Sequence, residues 1–179
     1  IAVLGLGAAF SLNFGMGLFS VVSNSTGYQQ VADAQYGVSF FIGLFLYGVV
    51  SPVTEEIIYR GITYQRLKRT FGVIPAMLIS ALIFGGLHGN WVQAVYGTLM
   101  GILLAWVYEK YAGFLAPVLV HMAANLGVYS ITYGSRLAGL SRKTCIMATI
   151  VSVLITGVCF WYLNWKMSQS AGMMHNEGK

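Results

Sequence analysis

The feature that most constrains this chain is its series of apolar runs, each long enough to cross a bilayer and separated by short polar stretches. A helix needs about 20 predominantly apolar residues to span the hydrocarbon core, and only helices or closed barrels satisfy their backbone groups there. Six such runs are readable, at roughly 1–22, 37–53, 73–89, 91–108, 112–133 and 145–166. Hydrophobic residues fill 57% of the 179 positions and charged residues 8%, whereas a soluble domain carries about 25% charge to face water. Too few charges remain to cover a water-facing surface of this size. The expected fold is all-α: a polytopic transmembrane helix bundle of about six spans plus one amphipathic or polar helix. The chain is expected to be an integral, multi-pass protein whose main neighbour is lipid.

The additional helix is placed at Thr54 to Thr70. Thr54 is a good N-cap, Glu55 and Glu56 then occupy the first turn where the helix dipole favours acids, and Pro52 marks a start nearby. Gly72 and Pro75 separate this helix from the next span. Trp91, Trp106, Tyr108, Tyr111, Trp161, Tyr162 and Trp165 fall near span ends, as interfacial aromatics do. Arg66, Lys68 and Arg69 place their loop in the cytoplasm, with Lys110 and Lys166 on the same side. Arg136, Arg142 and Lys143 come out opposite, against the positive-inside rule. The whole chain, 1–179, reads as a single membrane-embedded domain with a polar, mobile tail at 167–179 that holds His175. Ile1 opens an apolar run without the basic start of a secretory signal, so 1–22 is read as a span, and a native N-terminal portion is expected to precede it. The net charge of +5 is scattered between spans. No clustered basic face exists for nucleic acid. Cys145 and Cys159 stand fourteen residues apart with no CxxC, which argues against a disulfide framework and a cysteine-type zinc site.

Ionisable groups inside a bilayer cost about 2.5–3.5 kcal/mol each on insertion scales, so each needs a reason. Three clusters at helical spacing hold them. In Glu55-Glu56-Ile57-Ile58-Tyr59-Arg60, Glu56 and Arg60 stand at i and i+4, the spacing of a same-face ion pair. Glu55 points about 100° away and shares its spacing with Tyr59. One carboxylate can then be held by the arginine while the other is free for proton work. An interfacial helix whose acids simply face water would account for the same residues. His88 closes Phe84-Gly85-Gly86-Leu87-His88, where the glycine pair permits close helix approach; a hydrogen-bonded interfacial histidine is the plainer reading. His121 and Asn125 also stand at i and i+4, with two alanines between them keeping that face open. Both offer N–H donors to a developing oxyanion, and helix–helix hydrogen bonding is the alternative. Taken together, a glutamate and one histidine can deprotonate a water while the second histidine and the asparagine steady a tetrahedral oxyanion. That is the equipment for peptide hydrolysis without a covalent intermediate.

The order Glu-Glu-x-x-x-Arg, Phe-x-x-x-His, His-x-x-x-Asn resembles the CPBP family, the CAAX-type prenyl-protein endopeptidases and bacteriocin-processing or self-immunity proteins also called Abi. The motifs read EEIIYR at 55–60, FGGLH at 84–88 and HMAAN at 121–125, in a core of roughly 37–133 flanked by the spans 1–22 and 145–166. The resemblance implies an α-helical intramembrane protease. It implies that Glu55 with His88 activates the water and that His121 and Asn125 form the oxyanion site. Glu56 and Arg60 would support the geometry, and Tyr59 would line the pocket. The expected partner is a membrane-associated or prenylated peptide or protein, the expected location the bacterial plasma membrane, and no cofactor is expected. Descriptions of such proteins as metalloproteases leave zinc on Glu55, His88 and His121 as the alternative. Oligomeric state is not readable. The rival functions are a non-catalytic immunity or scaffold protein, whose bundle the same cluster would lock together, and a proton-coupled carrier, for which the internal repeats are missing.

Overall fold

The structure, a computed structural model, describes residues 1–18, 22, 24–138 and 140–177, without the side chains of 136–138 and 170–177. The side chains of Arg136 and His175, and positions 19–21 of the first expected span, therefore lie outside the described residues. Seven helices follow one another: α1 (Ala2–Leu18), α2 (Thr26–Tyr36), α3 (Phe40–Phe71), α4 (Val73–Gly86), α5 (Trp91–Lys110), α6 (Leu115–Ala138) and α7 (Arg142–Glu177). The described residues contain no strand. Four helices are long and apolar enough to cross a membrane, namely α3, α5, α6 through Leu115–Ser135 and α7 through Arg142–Gln169; α1 and α4 are shorter apolar helices. The six apolar runs are thus six apolar helices of an integral membrane protein.

Three expectations need correction. The run 37–53 and the polar stretch 54–70 form one helix, α3, instead of two. Thr54 is not a cap: it lies mid-helix, and its Oγ1 donates back to Val50 O at 2.9 Å. The reason is local. Residues Leu46–Val50 and Ile57–Tyr64 are wound in π-helical register, and the Ser51 N–H reaches Leu46 O. The next bond in that register would run from residue 52 to Tyr47 O, but proline has no N–H to give. The wider turn accommodates Pro52, and Asn125 of α6 donates its Nδ2 to Tyr47 O at 3.0 Å. The second correction is the separate short helix, which is α2. Ser25 starts it by accepting the Tyr28 N–H at 3.2 Å. Third, the polar tail from 167 continues α7 as helix to Glu177.

Gly72, at φ +80°, makes the break between α3 and α4 that no side-chain-bearing residue adopts easily. Asn90 caps α5 by accepting the Gln93 N–H at 3.0 Å. Helices α4 and α5 lie backbone to backbone, because a Cβ on Gly85 would run into Ala94 O and Thr98. Small residues permit this approach where no hydrophobic force drives helices together. Helix α1 packs against α6 and α7, with Leu4, Leu104, Val107 and Val120 fully buried in one cluster. At the end of the bundle where α3 finishes, Lys68 pairs with Glu109 at 2.7 Å. The opposite end, which α2 covers, holds the polar cavity described next.

Candidate active site

Helix α3 carries the first two site residues. Adjacent positions on a helix point in different directions, and Glu55 and Glu56 accordingly have different surroundings. Glu56 is fully buried and takes a 2.8 Å bond from Arg60 Nη1 on its Oε1. Arg60, itself 1% exposed, sends Nη2 to Gly101 O of α5 at 3.0 Å. The expected i, i+4 ion pair is present, and it ties α3 to α5. Burying such a pair is tolerable where the charges meet in hydrogen-bonding geometry, as Nη1 and Oε1 do, although Glu56 Oε2 and Arg60 Nε find no partner among the described residues. Glu55 is 24% exposed and opens onto the cavity. Its Oε1 accepts the Ser51 hydroxyl one turn earlier.

His121 of α6 sits between the two carboxylates. Its Nδ1 lies 2.8 Å from Glu56 Oε1, and its Nε2 lies 3.6 Å from Glu55 Oε2. A buried carboxylate accepts, so Nδ1 carries the proton and Nε2 is the atom presented to Glu55. His88 follows the same logic. It stands in the turn between α4 and α5, and its Nδ1 donates to Phe84 O at 2.7 Å, which leaves the Nε2 lone pair open in the neutral ring. Asn125 is half-buried and commits one Nδ2 hydrogen to Tyr47 O, keeping a second N–H and its Oδ1.

Glu55, His88, His121 and Asn125 all line one cavity of ≈310 Å³. Glu56 and Arg60 stand behind its wall. Tyr59 does not line it; its ring packs edge-on against Phe84, 4.9 Å between centroids. Phe84, which opens the FGGLH motif but was given no role from the sequence, lines the cavity as well. Its buried ring meets His88 at 4.8 Å and His121 at 5.8 Å, with the Arg60 guanidinium over it at 4.8 Å. Its place four residues before His88, the spacing the motif records, sets the two on one face. Ser51, four before Glu55, carries the same signal. Tyr28, Gln35 and Tyr36 reach the cavity from α2, and no motif marked them.

Zinc requires about three protein ligands converging on one point. Among the described residues no three His, Cys, Asp or Glu side chains are grouped closely enough to hold a metal ion. Glu55, His88 and His121, the alternative zinc set, are not grouped that closely here, although tying each Nδ1 to an acceptor is also what metal-binding histidines do.

Comparison with known proteins bears on the same segment. The family model "Type II CAAX prenyl endopeptidase Rce1-like" matches residues 37–127, just over half of the chain and the stretch that contains Glu55, Glu56, Arg60, Phe84, His88, His121 and Asn125. The chain is 29% identical over 125 residues to "Putative membrane peptidase YdiL" of Bacillus subtilis (strain 168), covering 70% of this chain and 50% of that protein. It is 24% identical over 111 residues to "UPF0177 protein YxdF" of Lactococcus lactis subsp. lactis (strain IL1403), covering 61% and 59% respectively. The chain thus spans between half and three fifths of the length of these relatives. No solved structure matches it. With its three motifs gathered at one cavity inside residues 37–127, the chain belongs to the Rce1-like family of type II CAAX prenyl endopeptidases.

Proposed function

We propose that this chain is an intramembrane endopeptidase that cuts a membrane-associated peptide or protein, lipidated substrates included, in the bacterial plasma membrane. The observation that carries the reading is the convergence of Glu55, His88, His121 and Asn125, from α3, the α4–α5 turn and α6, on one cavity. Glu55 takes a proton from water through Oε2, since Oε1 is held by Ser51. His88 orients that water with its open Nε2. The resulting hydroxide adds to the carbonyl carbon of the scissile bond. The second Asn125 N–H then stabilises the oxyanion, beside the ring of His121. Collapse breaks the C–N bond, and Glu55 returns its proton to the leaving amine. Glu56 and Arg60 act behind the wall by fixing the ring of His121.

The test is cleavage of a quenched peptide library by the purified chain in detergent, for wild type, Glu55→Gln and His88→Ala, with and without a zinc chelator. Both variants should fold and lose activity by about 10²–10⁴-fold, the usual worth of a general acid–base group, and chelation should leave the wild type unchanged. Loss on chelation with recovery on adding zinc would give Glu55, His88 and His121 ligand roles instead. A Glu55→Gln variant that kept its cellular function would favour the immunity or scaffold reading.

A further inference from the structure

Four carboxamides from four helices reach the cavity: Asn13 of α1, Gln35 of α2, Gln93 of α5 and Asn125 of α6. Asn125 belongs to the reaction centre, and Gln93 gives its Oε1 to Asn90 Nδ2 at 2.7 Å. Asn13 and Gln35 are half-buried, and their carboxamides carry no hydrogen bond among the described residues. Their place in the cavity follows from their neighbours. The backbone O of Gln35 accepts the Tyr129 hydroxyl at 3.5 Å, and Tyr129 is eight residues beyond His121 on α6, about 12 Å along the helix. Asn13 stands at a similar level. Helix α1 runs beside α6, with Leu6 and Phe10 against Gly127, and Asn13 and Ile131 line a second, smaller cavity together. Both carboxamides thus lie on the same side of the reacting groups, toward the end that α2 covers.

We infer that Asn13 and Gln35 are substrate-binding residues whose carboxamides hydrogen-bond the main chain of the peptide, a few residues to one side of the scissile bond. The inference rests on the peptidase reading above. A peptide drawn into a cavity at membrane depth loses the water on its N–H and C=O groups, and each group left unpaired is costly. Many proteins that bind an extended peptide pair its main chain with the edge of a sheet. The described residues of this chain contain no strand, so side chains must serve. A carboxamide matches the need: it has a carbonyl to accept a substrate N–H and an NH₂ to donate to a substrate C=O. An extended chain advances at most about 3.3–3.6 Å per residue. A group about 12 Å from His121 therefore meets a peptide unit about three or four residues from the cut. A carboxamide in the apolar run of α1 is itself expensive unless it is bonded, and the bound substrate provides that bond. Asn13 and Gln35 both lie outside residues 37–127. The matched stretch thus carries the reacting groups, and the flanking helices carry the grip on the substrate.

The experiment takes the tightest-binding peptide of the library and a set of its copies, each with one amide N–H replaced by an ester oxygen. Wild-type chain in detergent micelles should lose about fivefold in kcat/KM for an ester about three or four residues from the cut, the worth of one ordinary hydrogen bond. In Gln35→Leu the all-amide peptide should already be about fivefold weaker, and the loss should fall on KM, as it does for groups that bind ground state and transition state alike. The ester at the position Gln35 serves should then cost nothing further, while esters elsewhere keep their penalties. Asn13→Leu should erase the penalty at its own position in the same way. A variant that folds badly lowers every peptide by one factor and cannot imitate the loss of a single position's penalty. Ester penalties that persist unchanged in both variants overturn the inference, as do variants that bind the all-amide peptide like wild type; the carboxamides then face only water. The same scan by fluorescence anisotropy, on Glu55→Gln with and without Gln35→Leu, requires no hydrolysis. Failure of the peptidase reading is therefore distinct: Glu55→Gln would cleave like wild type, or no peptide would be cut, while the binding scan still decides what Asn13 and Gln35 hold.

Discussion

Glu55 and Glu56 differ by one position and should differ completely on mutation. Arg60→Ala strands the fully buried Glu56 carboxylate and leaves Gly101 O without its partner. Breaking a buried pair from one side costs about 3–5 kcal/mol, so this variant should unfold far earlier than wild type in a detergent-based thermal or SDS titration. Arg60→Lys should recover only part, because one ammonium cannot serve Glu56 and Gly101 O in the forked geometry that a guanidinium provides. Glu55→Gln keeps the acceptor for Ser51 at a site 24% exposed to the cavity, and should change stability by no more than about 1 kcal/mol, as polar substitutions without a buried charge do. Equal destabilisation by both would mean that Glu55 is a packing residue. This division between the two acids was legible from spacing alone, since i, i+4 assigns Glu56 to Arg60. Which histidine meets which acid was not. Glu55 lies near Nε2 of His121, and Glu56 holds Nδ1 of the same ring, a bridge between α3 and α6 that no local pattern encodes.

Helix α3 explains why some elements were readable and others were not. Gly72 and Asn90 carry signals the chain must obey, a positive φ and a side-chain cap, and the boundaries there agree with expectation. Pro52 followed by Thr54 and two acids looks like a helix start, yet it lies inside α3, because π-register turns absorb the proline and a residue 73 positions away replaces its missing donor. Helix α2 was overlooked because eleven residues of mixed polarity show neither a span nor a strong stripe, although Ser25 was there to cap it. The Tyr47–Asn125 bond is testable as an element-level device. Asn125→Ala leaves Tyr47 O without this donor in the half-buried wall of the cavity, at about 1 kcal/mol. Pro52→Ala introduces an N–H at the position from which π-register reaches that carbonyl. A double-mutant cycle should show coupling of about 1 kcal/mol, with Pro52→Ala partly rescuing the stability of Asn125→Ala. Activity should stay low in the double variant, since the second Asn125 N–H is not replaced. Purely additive stabilities would show that the carbonyl finds another donor.

At the scale of the molecule, depth decides where chemistry is allowed. Fourteen residues of α4 rise about 21 Å, against roughly 30 Å of hydrocarbon. If α4 starts at one interface, it ends within the membrane, and the irregular turn that carries His88 lies below the opposite surface. Such backbone survives at that depth only where it is buried in protein or lines a water-accessible cavity, and here His88 lines the polar cavity. The short helix is therefore part of the site: a longer α4 would lift His88 out of the bundle and away from Glu55. The same arrangement fixes how the ends are distributed. With the short α4 counted as a crossing beside α5 and α6, three crossings separate Thr70 from Leu140, both of which are exposed. In a Cys145→Ser, Cys159→Ala background, Thr70→Cys and Leu140→Cys should react with a membrane-impermeant thiol reagent from opposite faces, one in intact cells and the other only after permeabilisation. Basic residues stand at both ends of the bundle, Arg66, Lys68, Arg69 and Lys110 against Arg142 and Lys143, so the charge rule does not orient the chain, and the labelling would do so directly. Reaction of both cysteines from one face would mean that α4 does not cross. His88 would then lie at the membrane surface, and its cavity would be open to soluble peptides instead of enclosed within the bilayer.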